Sequence, residues 1–119
     1  AETRQVPVEV IVNGQVAAKQ LIDADGAVKD LTFDIDLPHS AWIAIRILPS
    51  MHSNPIFVEV AGKPIRASRR SAEWCREAVD VCWQKKHKSF RQEEIQAAKE
   101  AYDFARRTYD TIANESLSD

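Results

Sequence analysis

WIAIRILPSMHSNPIFVEVAGKPIRASRRSAEW runs from Trp42 to Trp74 and changes character twice along its length. Ala41 to Leu48 is a mostly apolar run rich in isoleucine, as a central strand covered on both faces requires. Pro49-Ser50-Met51-His52-Ser53-Asn54-Pro55 is a polar connection bounded by two prolines. Ile56 to Val60 reads as a short strand, Ala61-Gly62 as a turn, and Lys63 to Ala67 as a segment able to pair back. After Pro64 the chain has no proline or glycine, so a helical region opens at Ser68. Strands first and helices afterwards define the α+β class, rather than a parallel sheet with helices interleaved.

Towards the amino terminus the period-two pattern continues. Val6, Val8, Val10 and Val12 fall on one side of a strand, with Pro7, Glu9 and Ile11 on the other. Asn13-Gly14 follows, and both residues tolerate positive φ, which is a hairpin signal. Gln15 to Ile22 is the expected return strand. Leu31, Phe33, Ile35 and Leu37 alternate with Thr32, Asp34 and Asp36, the clearest half-buried strand pattern in the chain. The count reaches about six strands, an antiparallel β-sandwich-like unit. Arg46, inside the apolar run, is expected at a rim position or in an ion pair with a carboxylate such as Asp34 or Asp36, with a ligand contact as the lesser alternative.

Towards the carboxyl terminus, Ser68 or Ser71 can cap a first helix, and Lys85, Lys86 and Lys88 suit the negative end of its dipole. Ser89-Phe90-Arg91-Gln92 fits a capping box for a second helix. Ile95, Ala98, Tyr102, Ala105, Tyr109 and Ile112 then form a stripe at steps of three and four. Packing against the first helix as an αα-hairpin accounts for this stripe; a homodimer seam through the C-terminal helix is the alternative. Residues 1–119 are read as a single domain, with a β-rich part at 1–67, a helical hairpin at 68–115 and a frayed tail at 116–119.

Composition excludes several classes. A net charge of -2 over 119 residues does not suit a polyanion binder. No run approaches the roughly 18 apolar residues of a membrane-spanning helix, so no membrane role is expected. Thr3-Arg4-Gln5 and its neighbours lack a signal-peptide pattern. Cys75 and Cys82 lie seven residues apart, about 10.5 Å along a helix. A disulfide needs Cα atoms within about 7 Å, so both are read as small apolar side chains.

The candidate sites are few. His52 and Asn54 sit on a loop, where binding residues concentrate, and could contact another domain or a ligand; a plain Asn-Pro turn is the favoured alternative. Arg66, Arg69 and Arg70 could form a patch for an anionic ligand. Residues 63–91 carry nine basic side chains against three acidic ones, whereas residues 92–119 carry seven acids against three bases. If the two helices lie side by side, these charges offset, and nucleic acid is disfavoured as a partner. Asp23-x-Asp25-Gly26 lacks the later oxygens of a calcium loop and reads as a solvated turn. Trp42, Trp74 and Trp83 are expected to be buried, with a sugar-stacking platform as the alternative. No catalytic residue, metal ligand set or cofactor is expected: His39, His52 and His87 are widely separated, and a zinc site needs three or four converging ligands.

Four segments carry a family resemblance: Trp42-Ile43-Ala44-Ile45-Arg46, His52-Ser53-Asn54-Pro55, Gly62-Lys63-Pro64-Ile65-Arg66 and Ser71-Ala72-Glu73-Trp74. Looser similarity covers Val8 to Gly14, Ala101-Tyr102-Asp103 and Ala105-Arg106. Together they resemble the C-terminal region of bacterial CehA/McbA-type metallohydrolases of the PHP group. The resemblance implies a catalytic domain upstream on the same polypeptide, with the metal-binding histidines lying there, and export is common among such hydrolases. It carries over no catalytic residue. The resulting expectation is a non-catalytic accessory domain with a packing, assembly or substrate-positioning role; the alternative is a stand-alone binding module for a carbohydrate or an anionic ligand.

Overall fold

The computed structural model describes residues 3–118, which form an antiparallel sheet of five strands and two C-terminal helices, an α+β fold with a helical hairpin. The chain separates into two compact units, divided between Ile65 and Arg66.

The first unit contains β1 (Gln5–Val12), β2 (Gln15–Asp23), β3 (Ala41–Ile47), β4 (Met51–His52) and β5 (Ile56–Val58). Their order is β2-β1-β3-β4, with β5 also paired to β3, and every pairing is antiparallel. The Asn13-Gly14 hairpin forms as the sequence implies, with φ of 49° and 87° at its two residues. Asn13 does more than turn the chain. Its N–H donates to Trp42 O at 3.0 Å and its Oδ1 accepts from Trp42 N at 3.1 Å, so the turn residue extends the β1–β3 ladder.

Register sorts the side chains onto two faces, because directly paired residues point the same way. One face carries Val8, Val10, Ile43 and Ile45, with Val10 opposite Ile45 and Val12 opposite Ile43. Val8 and Val10 are its buried centre, at 4% and 3% exposure. Burying a valine fully contributes roughly 1.5–3 kcal/mol, so these two anchor the sheet. The other face carries Glu9, Ile11, Trp42, Ala44 and Arg46. A register shift between Val10 and Ile11 adds one residue to β2 and re-aims the hairpin end.

Several expectations change here. Residues 31–37 lie outside the ladder, and so do residues 63–67, while Met51–His52, expected within a polar connection, pairs as β4, which makes five strands. Leu31, Phe33, Ile35 and Leu37 are nevertheless half-buried while Thr32, Asp34 and Asp36 are exposed. The alternation therefore reports correctly which side chains face inwards, but says nothing of what the backbone bonds to. Arg46 does take a carboxylate, but from Glu9 directly opposite on β1. Its Nε and Nη2 donate to Glu9 Oε2 at 2.8 and 2.7 Å, and neither Asp34 nor Asp36 is its partner.

Ser40, 6% exposed, closes the first unit. Its Oγ accepts from Val60 N at 2.8 Å and donates to Lys63 O at 2.6 Å. The turn so held has positive φ at both central residues, 55° at Ala61 and 66° at Gly62.

The second unit is a hairpin of α1 (Arg69–Lys86) and α2 (Ile95–Glu115), joined through a 3-10 turn at His87–Ser89. Ser68 caps α1, its side chain accepting from Ser71 N at 3.1 Å. The capping box expected at Ser89 does not form. Ser89 Oγ donates to Lys86 O at 2.7 Å, and α2 begins six residues later, at Ile95. Glu94 accepts from Arg91 N at 3.2 Å in its place, which satisfies one donor ahead of the helix.

Between the helices, Trp83 meets Tyr102 edge-on at 5.1 Å and stacks on His87 at 5.5 Å. Two backbone bonds join the end of the chain to the start of the helical unit. Leu117 N donates to Arg66 O at 3.1 Å, and Arg69 N donates to Ser118 O at 2.7 Å.

Candidate functional site

The first unit has an open groove of about 610 Å³ on the Trp42 face of the sheet. Ile11 and Ala44 form its floor, Trp42 and Phe57 one side, and His52 and Asn54 the other. β3 supplies Trp42 and Ala44 at alternate positions, so both project from one face. Phe57 is the direct partner of Trp42 across the β3–β5 ladder, which sets the two aromatic side chains next to each other. Phe57 is 69% exposed, an unusual position for a large apolar ring.

His52 enters the groove because β4 pairs with β3, placing it opposite Arg46. Its Nδ1 lies 3.1 Å from Ser53 O. Ser53 continues the pairing in two ways: its N donates to Ile45 O at 2.8 Å, and its Oγ accepts from Ile45 N at 2.9 Å. That clamp sets where His52 and Asn54 stand. The two loop residues singled out in the sequence therefore share one groove with the Trp42 ring. Phe57 escaped the sequence reading, although an aromatic residue two positions after Pro55, in a strand that pairs with β3, carried the signal.

The arginines fare differently. Arg66 Nε pairs with Glu115 Oε2 at 2.7 Å, so its charge is engaged within the helical unit. Arg69 contributes its backbone N–H to the tail clamp, and Arg70 borders a small recess with Trp74 and Cys75. None of the grooves described among these residues is lined by all three. The offset of basic by acidic residues is visible in Arg66–Glu115 and in Arg76 Nε, 3.2 Å from Asp110 Oδ1 though poorly aligned for a hydrogen bond.

Asp80 sits at the centre of this network. It accepts from Arg106 Nε at 2.7 Å and from Arg76 Nη1 at 2.7 Å. The Arg106 hydrogen bond, followed by that of Arg76, holds its carboxyl below the usual carboxylate range. Tyr102 OH lies 3.0 Å from Cys82 Sγ; that hydrogen bond first, and then desolvation, pushes the phenol above its ordinary value. A second groove, about 460 Å³, runs between the helices past Trp74, Ala78, Ala101 and Tyr109. Trp74, expected to be buried, is 69% exposed along it.

Among the described residues, no group of three or more His, Cys, Asp and Glu side chains could hold a metal ion. No helix there is long and apolar enough to cross a membrane. Fold and groove together define an α+β protein with an aromatic-sided, largely apolar concavity on its sheet. In comparisons with protein-family models, curated proteins and solved structures, nothing matches this chain.

Proposed function

We propose that the chain is a non-catalytic accessory module with a packing, assembly or substrate-positioning role, of the kind that the resemblance to the C-terminal region of PHP-type metallohydrolases implies. The observation that supports this reading is the half-covered apolar surface of the sheet. Val8 and Val10 are buried, whereas on the same face Met51 and Ile56, paired with the half-buried Ile47 and Ile43 of β3, are 53% and 66% exposed. Contiguous exposed apolar surface of this kind marks contact with another element.

The Trp42–Phe57 pair beside His52 and Asn54 favours a second reading, a carbohydrate- or anion-binding module, since aromatic faces flanked by polar groups suit a sugar ring. A titration of the 15N-labelled chain with hexoses, disaccharides, phosphate and sulfate separates the two. The packing role expects no saturable shift at Trp42, His52, Asn54, Arg69 or Arg70. A saturable set of shifts at these residues would replace it with ligand binding.

A further inference from the structure

The extended segment 31–37 is a strand without a sheet. Its side-chain burial alternates with period two over seven residues, the signature of extended backbone. Yet among the described residues, no backbone group of residues 28–39 makes a backbone–backbone hydrogen bond. A single side-chain bond, from Gln20 Nε2 to Thr32 O at 2.7 Å, is the tie to its carbonyls. Backbone donors and acceptors of a packed strand are ordinarily paired.

The Gln20 bond also shows where the segment lies. Gln20 is the direct partner of Val8 and so shares its sheet face. Thr32 therefore passes over the Val8 face, and Leu31, Phe33, Ile35 and Leu37 are the inward side chains of a second layer. That layer is one strand wide. Val8 and Val10 are 4% and 3% exposed, but on the same face Met51 and Ile56, opposite Ile47 and Ile43, are 53% and 66% exposed. The uncovered surface lies beside the segment, on the side of β3.

We infer that residues 31–37 accept an added strand along this edge, supplied by another polypeptide segment in which apolar residues alternate with lysine or arginine. The apolar residues would cover Ile43, Ile45 and Ile47. The outward residues would face Thr32, Asp34 and Asp36, and opposite charges across a strand pair are favourable. Charge also argues against a second copy of this chain. Antiparallel self-pairing that keeps both apolar faces inwards sets Asp34 against Asp34 or Asp36, or Asp30 against Asp36. Such strand addition derives its affinity from main-chain bonds and its selectivity from alternate side chains. The inference rests on the packing role proposed above and names the partner's chemistry.

The test uses the full chain with a strand of about ten residues, valine alternating with lysine, tethered to its amino terminus by a flexible glycine-serine linker that raises the effective concentration. The tether starts close by, since Ala24 N donates to Arg4 O at 2.8 Å. A matched tether carries glutamate for lysine. Amide exchange is read by NMR. In the untethered chain, the 31–37 amides exchange as unpaired backbone while those of β1 are protected. The lysine tether slows alternate amides of 31–37 at least tenfold and the glutamate tether does not; Asp34→Lys with Asp36→Lys reverses that preference.

Equal exchange with both tethers, or strong protection of 31–37 in the untethered chain, overturns the inference. Unchanged protection of β1 and β3 in the double variant confirms that it folds. A sugar or phosphate response at Trp42 and His52 would instead remove the packing role, and it would be read on the opposite face of the sheet.

Discussion

Ser40→Ala isolates one hydroxyl on which the end of the sheet unit depends. The change is nearly isosteric, so it opens no cavity, and the loss is confined to hydrogen bonding. Oγ accepts from Val60 N at 2.8 Å and donates to Lys63 O at 2.6 Å, from a side chain only 6% exposed. A typical net hydrogen bond contributes about 1 kcal/mol, and a buried group left unpaired costs about 1–3 kcal/mol. Val60 is half-buried, so its N–H is orphaned in part; Lys63 is exposed, so water can replace the serine at its carbonyl. The expected destabilisation is therefore about 2 kcal/mol. With an m-value of roughly 1–2 kcal/mol/M, the urea midpoint falls by about 1–2 M. Following the titration through the β1 and β3 amides reads the sheet unit alone, and m should not change. A loss below about 0.5 kcal/mol would refute the reasoning, because it would mean that water satisfies both groups as well as the hydroxyl does.

Further outcomes follow from the same geometry. Ser68→Ala should cost the helical unit about 1 kcal/mol through loss of the α1 cap, measured by thermal melting of the far-ultraviolet circular dichroism. Ser89→Ala should lower that melt less than Ser68→Ala does, since its hydroxyl donates only to the exposed Lys86 carbonyl at the end of α1, which water can serve instead. Ala61→Asn should stabilise the chain by a few tenths to about 1 kcal/mol in urea, because asparagine tolerates the φ of 55° at this turn better than alanine does. Asp80 has a carboxyl pKa below its unfolded value, so the stability it contributes is present at neutral pH and is lost as pH falls through the folded pKa. The melting-temperature gap between the native chain and Asp80→Asn should accordingly be widest near pH 7 and shrink below about pH 4.

The sheet was legible where local chemistry and pairing coincide. Alternating valines in β1, the Asn13-Gly14 turn and the isoleucine-rich β3 each specify one conformation and one neighbour. Residues 31–37 were legible in one respect only: period two determines which side chains face inwards, while ladder partners depend on what else lies in the same layer. Arg46 shows the same division. Its need for a carboxylate was readable, but register, which brought Glu9 opposite it, was not. At Ser89 two local bonds competed, and the Lys86 carbonyl captured the hydroxyl that a helix start would have used. In the candidate site, His52 and Asn54 were visible as loop residues, whereas Phe57 gained its place only through the ladder with Trp42. Arg66 looked like part of a cationic patch until the fold brought Glu115 to it.

The clamp between residues 66–69 and residues 117–118 has a consequence for how this polypeptide can be rearranged. Arg66 O and Arg69 N bond to Leu117 N and Ser118 O, so the helical unit enters and leaves at one spot. A segment whose two ends coincide can be spliced into a surface loop of an unrelated host without prising the host apart, and its own ends can be joined and reopened elsewhere. Residues 66–118 thus form a natural cassette, and the exposed residues 91–93 of the turn are the place to cut a circular permutant.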